Sequence, residues 1–259
     1  PRIHNGGRWC RAIRTTTSKR SGVRRMNQVS TRPIVLNSLW QLVMHPSTLI
    51  SLSMILLFPG LCVGQTWIRY VDQTDRFTVN FPGEPVVEEV DFLSEYGVVF
   101  PARAYTADAP PGRYSVTVVN FTETERLHKE RSAQTGIEVY AQEWISDVLG
   151  SIAYTAWNIR QRSHEITYDA FHTVDRIAGH LLQITNTDES RTFVGLYLHA
   201  SRLYILEATV PKGWPPPGHF QQSLGIYDEE GNRVRYNLDA DGNRTRDYSQ
   251  QPYIDTLPD

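Results

Sequence analysis

With 259 residues, 40% of them hydrophobic and 11% aromatic, the chain can bury a sizeable core, and its formal charge of −2 conceals a sharp division. Residues 1–64 hold nine Lys/Arg and no acid, whereas residues 65–259 hold 17 basic and all 28 acidic side chains, a net of −11. That balance argues against nucleic acid and against simple docking on anionic lipid, and the confinement of both cysteines (Cys10 and Cys62) to the first part excludes disulfides, thiolate nucleophiles and Cys-based zinc from the rest.

The basic leader ends in the apolar run Leu49–Phe58, ten residues that suit the h-region of an export signal and fall short of the roughly 20 needed to span a bilayer. Pro59-Gly60 breaks it, and Cys62 and Gly64 place small side chains at −3 and −1 of a cut before Gln65. Residues 26–64 therefore read as a signal peptide, with an uncleaved N-terminal anchor as the alternative. Met26 or Met44 reads as the start, and residues 1–25 as a basic upstream segment. The expected location is periplasmic or secreted, or membrane-anchored facing the periplasm if the leader is retained.

One α+β domain is expected over 65–236. Short strands are predicted at Trp67–Tyr70 and Arg76–Phe81, where Phe77, Val79 and Phe81 alternate with polar residues. Further strands follow at Val86–Val90, Val98–Tyr105 and Arg113–Phe121, the last two joined by an Ala109–Gly112 turn. Thr122–Glu125 and Thr135–Glu138 match the capping-box pattern, and the second is read as opening a helix from Ile137 to about Trp157. Its apolar face is predicted to be Ile137, Ala141, Trp144, Ile145, Val148, Ile152 and Ala156. A second strand block covers Glu165–Val174, Arg176–Asn186, Arg191–His199 and Leu203–Val210, and a short helix covers His219–Leu224. The implied architecture is an antiparallel sheet of about six to eight strands with helices packed on its faces.

The tail repeats itself: Asp228–Arg235 recurs as Asp239–Arg246, eleven residues later, each with Gly-Asn at a predicted turn tip. Residues 237–259 are expected to be a polar tail, partly disordered. Asn237–Gly242 also resembles half a calcium loop, but Tyr248 stands where the bidentate Glu belongs, so a turn is the better reading.

Chemistry is sparse. Among the titratable residues the densest group is Tyr168, Asp169, His172 and Asp175, so a hydrolase would use His172 with Asp169 or Asp175 as its catalytic residues. Trp144, Trp157, Tyr168 and Tyr197 are candidates to line a ligand pocket beneath the helix, as in a small-ligand or lipid carrier. No His-x-His or His-x3-His spacing, Gly-x-Ser-x-Gly elbow or phosphate loop occurs. No cofactor and no metal site are expected.

Phe77–Pro85 after Trp67, and Arg202–Tyr204 with Ala208–Pro211 and Phe220–Leu224, resemble the ends of small exported bacterial proteins of the PsbP-like and DcrB-like group. The resemblance covers about Trp67–Tyr236 and carries no catalytic residue. It implies an antiparallel sheet flanked by helices, and a noncatalytic extracytoplasmic binding or accessory module that assists a larger assembly through a protein partner.

Overall fold

The computed structural model describes residues 66–249 apart from 139 and 141. The expectations for the leader and for residues 250–259 lie outside the described residues.

Two runs of antiparallel strands build the main sheet. The first comprises β3 (Val86–Leu93), β4 (Val99–Ala109) and β5 (Gly112–Asn120). The second comprises β6 (Glu165–Val174), β7 (Ile177–Thr185), β8 (Arg191–His199) and β9 (Arg202–Val210). They join edge to edge in the order β3-β4-β5-β9-β8-β7-β6, seven strands within the range the sequence implies. The connection from β5 to the far edge at β6 carries two helices, α1 (Thr124–Thr135) and α2 (Glu143–Arg162). A second sheet of β1 (Ile68–Asp72), β2 (Phe77–Phe81) and β10 (Gly225–Ile226) forms with β2 in the middle. A short helix, α3 (Gly218–Gln221), precedes β10, and β11 (Tyr236–Leu238) pairs with β12 (Arg244–Arg246) as a terminal ribbon.

The period of two along each main strand splits the core into two layers. On β9, Leu203 and Ile205 join the layer packed with the helices, while Tyr204, Leu206 and Ala208 join the layer under the small sheet. Phe77, Val79, Phe81 and Phe220 close that second layer. Both layers consist of side chains almost wholly removed from water, each contributing about 1.5–3 kcal/mol of transfer free energy.

Two hairpins turn without glycine. Asp175 and Arg176 (φ 48° and 64°) link β6 to β7, and Ala200 and Ser201 (φ 44° and 57°) link β8 to β9. Positive φ at both central residues matches the twist of paired strands. At Asp175 the strain is compensated by neighbours, since its carboxylate accepts from Arg233 Nε at 2.8 Å and Arg235 Nε at 3.1 Å. The tandem repeat is realised as two equivalent turns. Asn232 N–H donates to Asp228 Oδ1 at 2.7 Å, and Asn243 N–H donates to Asp239 Oδ1 at 2.8 Å. Flanking the second turn, Tyr236–Leu238 and Arg244–Arg246 pair antiparallel.

The helices differ from expectation. Thr135 ends α1 instead of opening the next helix, because Gly136 adopts a left-handed φ of 71° and donates to Ser132 O at 2.8 Å. The Thr135 hydroxyl bonds back to Arg131 O, and Ile137 is left exposed in the connection. At the other predicted capping box, the Thr122 hydroxyl is taken by Asn120 Oδ1, so Glu123 stands at the N-cap with no side-chain cap bond. The long helix runs Glu143–Arg162, and its buried face includes Asp147, Ser151 and Thr155. No helix among the described residues is long and apolar enough to cross a membrane.

Candidate functional site

Helix α2 buries a row of polar side chains among the apolar ones that it packs on the sheet. Asp147, Ser151 and Thr155 recur every four residues, a spacing that places them in one row. All three are buried against the sheet side beside Val148, Ile152, Ala156 and Ile159. Asp147 Oδ2 lies 2.9 Å from Nε2 of His128 on α1, and both side chains are essentially inaccessible to water. The Ser94 hydroxyl, at the β3–β4 turn, hydrogen-bonds the same carboxylate. Burial pushes the Asp147 carboxyl above its ordinary range, against the pull of Ser94 and His128. His128 Nδ1 and Thr155 Oγ1 have no hydrogen-bond partner among the described residues. The Ser, His and Asp are not a nucleophilic triad, because the carboxylate, not the imidazole, is the central member.

Some of the helix's apolar side chains face out instead. Ile145, Leu149 and Trp157 are 52%, 70% and 54% exposed, and Ala153 between them is also exposed. Trp157 stacks on Tyr154, with centroids 6.4 Å apart and planes 17° from parallel. Between Glu143 and Arg160 the one charged residue is the buried Asp147, so the outward face carries no charge for about 26 Å. Helix α1 presents the opposite surface, laced by Lys129–Glu125 and Arg126–Glu130 pairs. Ile137 and Tyr140, in the connection before α2, are also exposed.

The sequence-derived site residues are placed separately. Asp169 projects to the helix face, where Arg160 grips both carboxylate oxygens at 2.7 and 2.9 Å and His180 Nε2 lies 2.6 Å away. The Arg160 bonds chiefly hold its pKa down to about 2. His172, opposite Gly179 in the register, projects to the other face, where Nδ1 lies 2.9 Å from the Tyr197 hydroxyl. Asp175 sits in the hairpin turn with Arg233 and Arg235. The structure therefore does not bring His172 together with Asp169 or Asp175 in one cleft.

Nor do the four aromatics converge. Tyr197 is buried beneath the small sheet, and burial pushes its hydroxyl up to about 12. Tyr168 is exposed on edge strand β6, Trp157 lies on the outward side of α2, and Trp144 carries the Lys129 ammonium 5.9 Å from its ring centroid. The space beneath α2 is occupied by Leu182, Ile184, Val194, Leu196, Leu203 and Ile205. Among the described residues no group of three His, Cys, Asp or Glu side chains is placed to hold a metal ion.

An open groove of about 510 Å³ lies beside the β1–β2 turn and is lined by Asp75, Glu89, Asp91, Arg103 and Asn120. Its central groups are already satisfied. Asp75 Oδ2 accepts from Tyr105 at 2.6 Å and from Arg103 Nε at 2.8 Å, and the Tyr204 hydroxyl donates to Asp75 O at 3.0 Å. The network pins the β1–β2 turn to the sheet, which makes it an architectural contact.

Sequence reasoning missed both His128 with Asp147 and the outward face. The signal that was present is the row Asp147-Ser151-Thr155, whose opposite side between residues 145 and 157 is largely apolar, so that either side of the helix could face the sheet.

No family model matches the chain, and no curated protein does. Among solved structures it is similar to the solution structure of cyanobacterial PsbP (CyanoP) from Synechocystis sp. PCC 6803. That similarity has 13% sequence identity and a TM-score of 0.37, covering 65% of this chain and 99% of that one.

Proposed function

We propose that the chain is a noncatalytic extracytoplasmic binding or accessory module that docks a protein through the outward face of α2. One observation carries the reading: about two turns of α2 display the exposed Leu149, Ala153 and Trp157, with the half-buried Tyr154 beside them, without an intervening exposed charge. A contiguous apolar surface of this kind is a cost in water, and large aromatic and aliphatic anchors are the groups that dominate protein interfaces. Its lack of charge fits a shape-and-burial contact rather than an electrostatically steered one.

Placement outside the cytoplasm rests on the basic and then apolar order of residues 1–64, and a reporter fusion that is active only after export tests it. The docking claim is tested by a photo-crosslinking side chain placed at Leu149, with exposed Glu123 on α1 as the control position. A discrete adduct from Leu149 and none from Glu123 is expected. Equal labelling at both positions, or none at either, overturns the assignment.

A further inference from the structure

Strand β3 is an open edge of the main sheet, and we propose that it takes an extended, basic segment of a partner protein as an eighth strand. This surface is separate from the outward face of α2 and does not depend on it. Val86–Leu93 pairs with β4 residue for residue, without a bulge. Among the described residues no strand lies beyond it, and no backbone hydrogen bond from outside the β3–β4 ladder reaches it. Alternate N–H and C=O groups along about 27 Å therefore face away from the sheet in strand geometry, a template for another chain. The opposite edge is protected differently: the register of β6 breaks between Ile166 and Tyr168, and a bulge of that kind turns an edge away from pairing.

Charge selects the occupant. Glu88, Glu89 and Asp91 are all exposed, and none of them forms an ion pair among the described residues. Glu89 lies opposite Arg103 in the register, but that guanidinium is turned to Asp75 and Asp72, at 2.8 and 3.4 Å. Glu89 and Asp91 stand two residues apart on one face, in the wall of the open groove beside the β1–β2 turn. An incoming strand with Lys or Arg at alternate positions sets its cations against them, and its intervening side chains fall beside Val90 and Phe92 on the helix side. The same carboxylates exclude a second copy of β3. In each central antiparallel register one of the three acids falls directly opposite an acid, and like charges so placed destabilise a sheet. Charges on an edge commonly guard it against pairing, yet a guard of one sign rejects acidic strands and admits basic ones. Strand addition of this kind draws affinity from main-chain bonds and specificity from alternate side chains.

The probe is a short fluorescein-labelled peptide alternating lysine and valine, titrated with the full chain and read by fluorescence anisotropy. Binding is expected to weaken about fivefold when Glu89→Gln and Asp91→Asn are combined, and to weaken in the parent chain as salt is raised. Both substitutions are at exposed positions and leave the circular dichroism spectrum intact. The same peptide with glutamate in place of lysine is expected not to bind. Methylating alternate backbone nitrogens of the lysine peptide separates strand addition from diffuse attraction, because only every second N–H faces β3. Blocking one alternate set is expected to abolish binding, and blocking the other to spare it. The inference is overturned by equal effects of the two methylated sets, by equal binding of the glutamate peptide, by a double variant that binds like the parent, or by a lysine peptide that does not bind.

Discussion

His128 and Asp147 meet 2.9 Å apart with neither side chain open to water, joining α1 to α2 in the interior of the domain. Removing one partner strands the other in a medium that cannot solvate it, a cost of about 3–5 kcal/mol. His128→Ala is therefore expected to lower unfolding free energy by that amount. Asp147→Asn, which keeps an oxygen to accept from the imidazole, is expected to lose about 1 kcal/mol. Replacing both by leucine should recover most of the loss, because no orphaned polar group remains. Urea denaturation of the four proteins checks the order, and a single His128→Ala that costs nothing would refute the account.

Tyr197 lies flat across two glycines, and that arrangement fixes what those positions tolerate. A Cβ at Gly179 would sit 2.3 Å from Tyr197 Cδ1 and 2.4 Å from Leu196 O, so neither ring nor backbone can yield cheaply. At Gly195 the nearest atom, Tyr197 Cε2, is 3.1 Å away. Gly179→Ala is expected to destabilise by about 3 kcal/mol and Gly195→Ala by about 1 kcal/mol. Adding Tyr197→Ala to Gly179→Ala should relieve part of the clash while losing the ring, so the two changes will not be additive. Thermal unfolding of the single and double variants measures this.

The sheet was legible because period-two alternation and turn residues are local signals. Every strand of the second block, Glu165–Val174 through Leu203–Val210, lies within one or two residues of its observed bounds. What was not legible depends on long-range contacts. His172 and Asp169 looked clustered because they are three residues apart, yet an odd separation along a strand sends them to opposite faces, a rule that needs only the period of two. Asp147 found its partner 19 residues away on another helix; of the apolar face read on α2, Val148, Ile152 and Ala156 do pack inward, whereas Ile145 is exposed. The helix start slipped for a different reason: Thr135-Gly136 satisfies both a capping box and a glycine stop, and the left-handed Gly136 decides for the stop.

The β8–β9 hairpin should be open to improvement. Ala200 and Ser201 hold φ of 44° and 57°, a region that costs an ordinary side chain about 1 kcal/mol and costs asparagine or glycine much less. Ala200→Asn with Ser201→Gly is expected to raise stability by about 1 kcal/mol. The backbone bond from Phe121 N–H to Ser201 O, 2.8 Å long, needs no side chain and survives the change. An unchanged or lowered melting temperature would count against strain at this turn.

Two carboxylates should give the domain opposite responses to acid. Asp169 is held down to about 2 by Arg160, against an ordinary value of 3.8, so its ionised form stabilises the fold above pH 4. That contribution disappears as pH falls from about 4 to about 2. Because the pair is about a third exposed, its effect is screened and should shrink further in high salt. Asp147 runs the other way. Burial raises its pKa, so the folded state favours the protonated form, and its contribution is largest below the unfolded value and declines as pH rises through the folded one. Melting temperatures between pH 2 and 6 should therefore fall less steeply towards acid in Asp169→Asn than in the parent chain, and more steeply in Asp147→Asn. Identical profiles for the two variants would show that neither carboxylate titrates as its surroundings require.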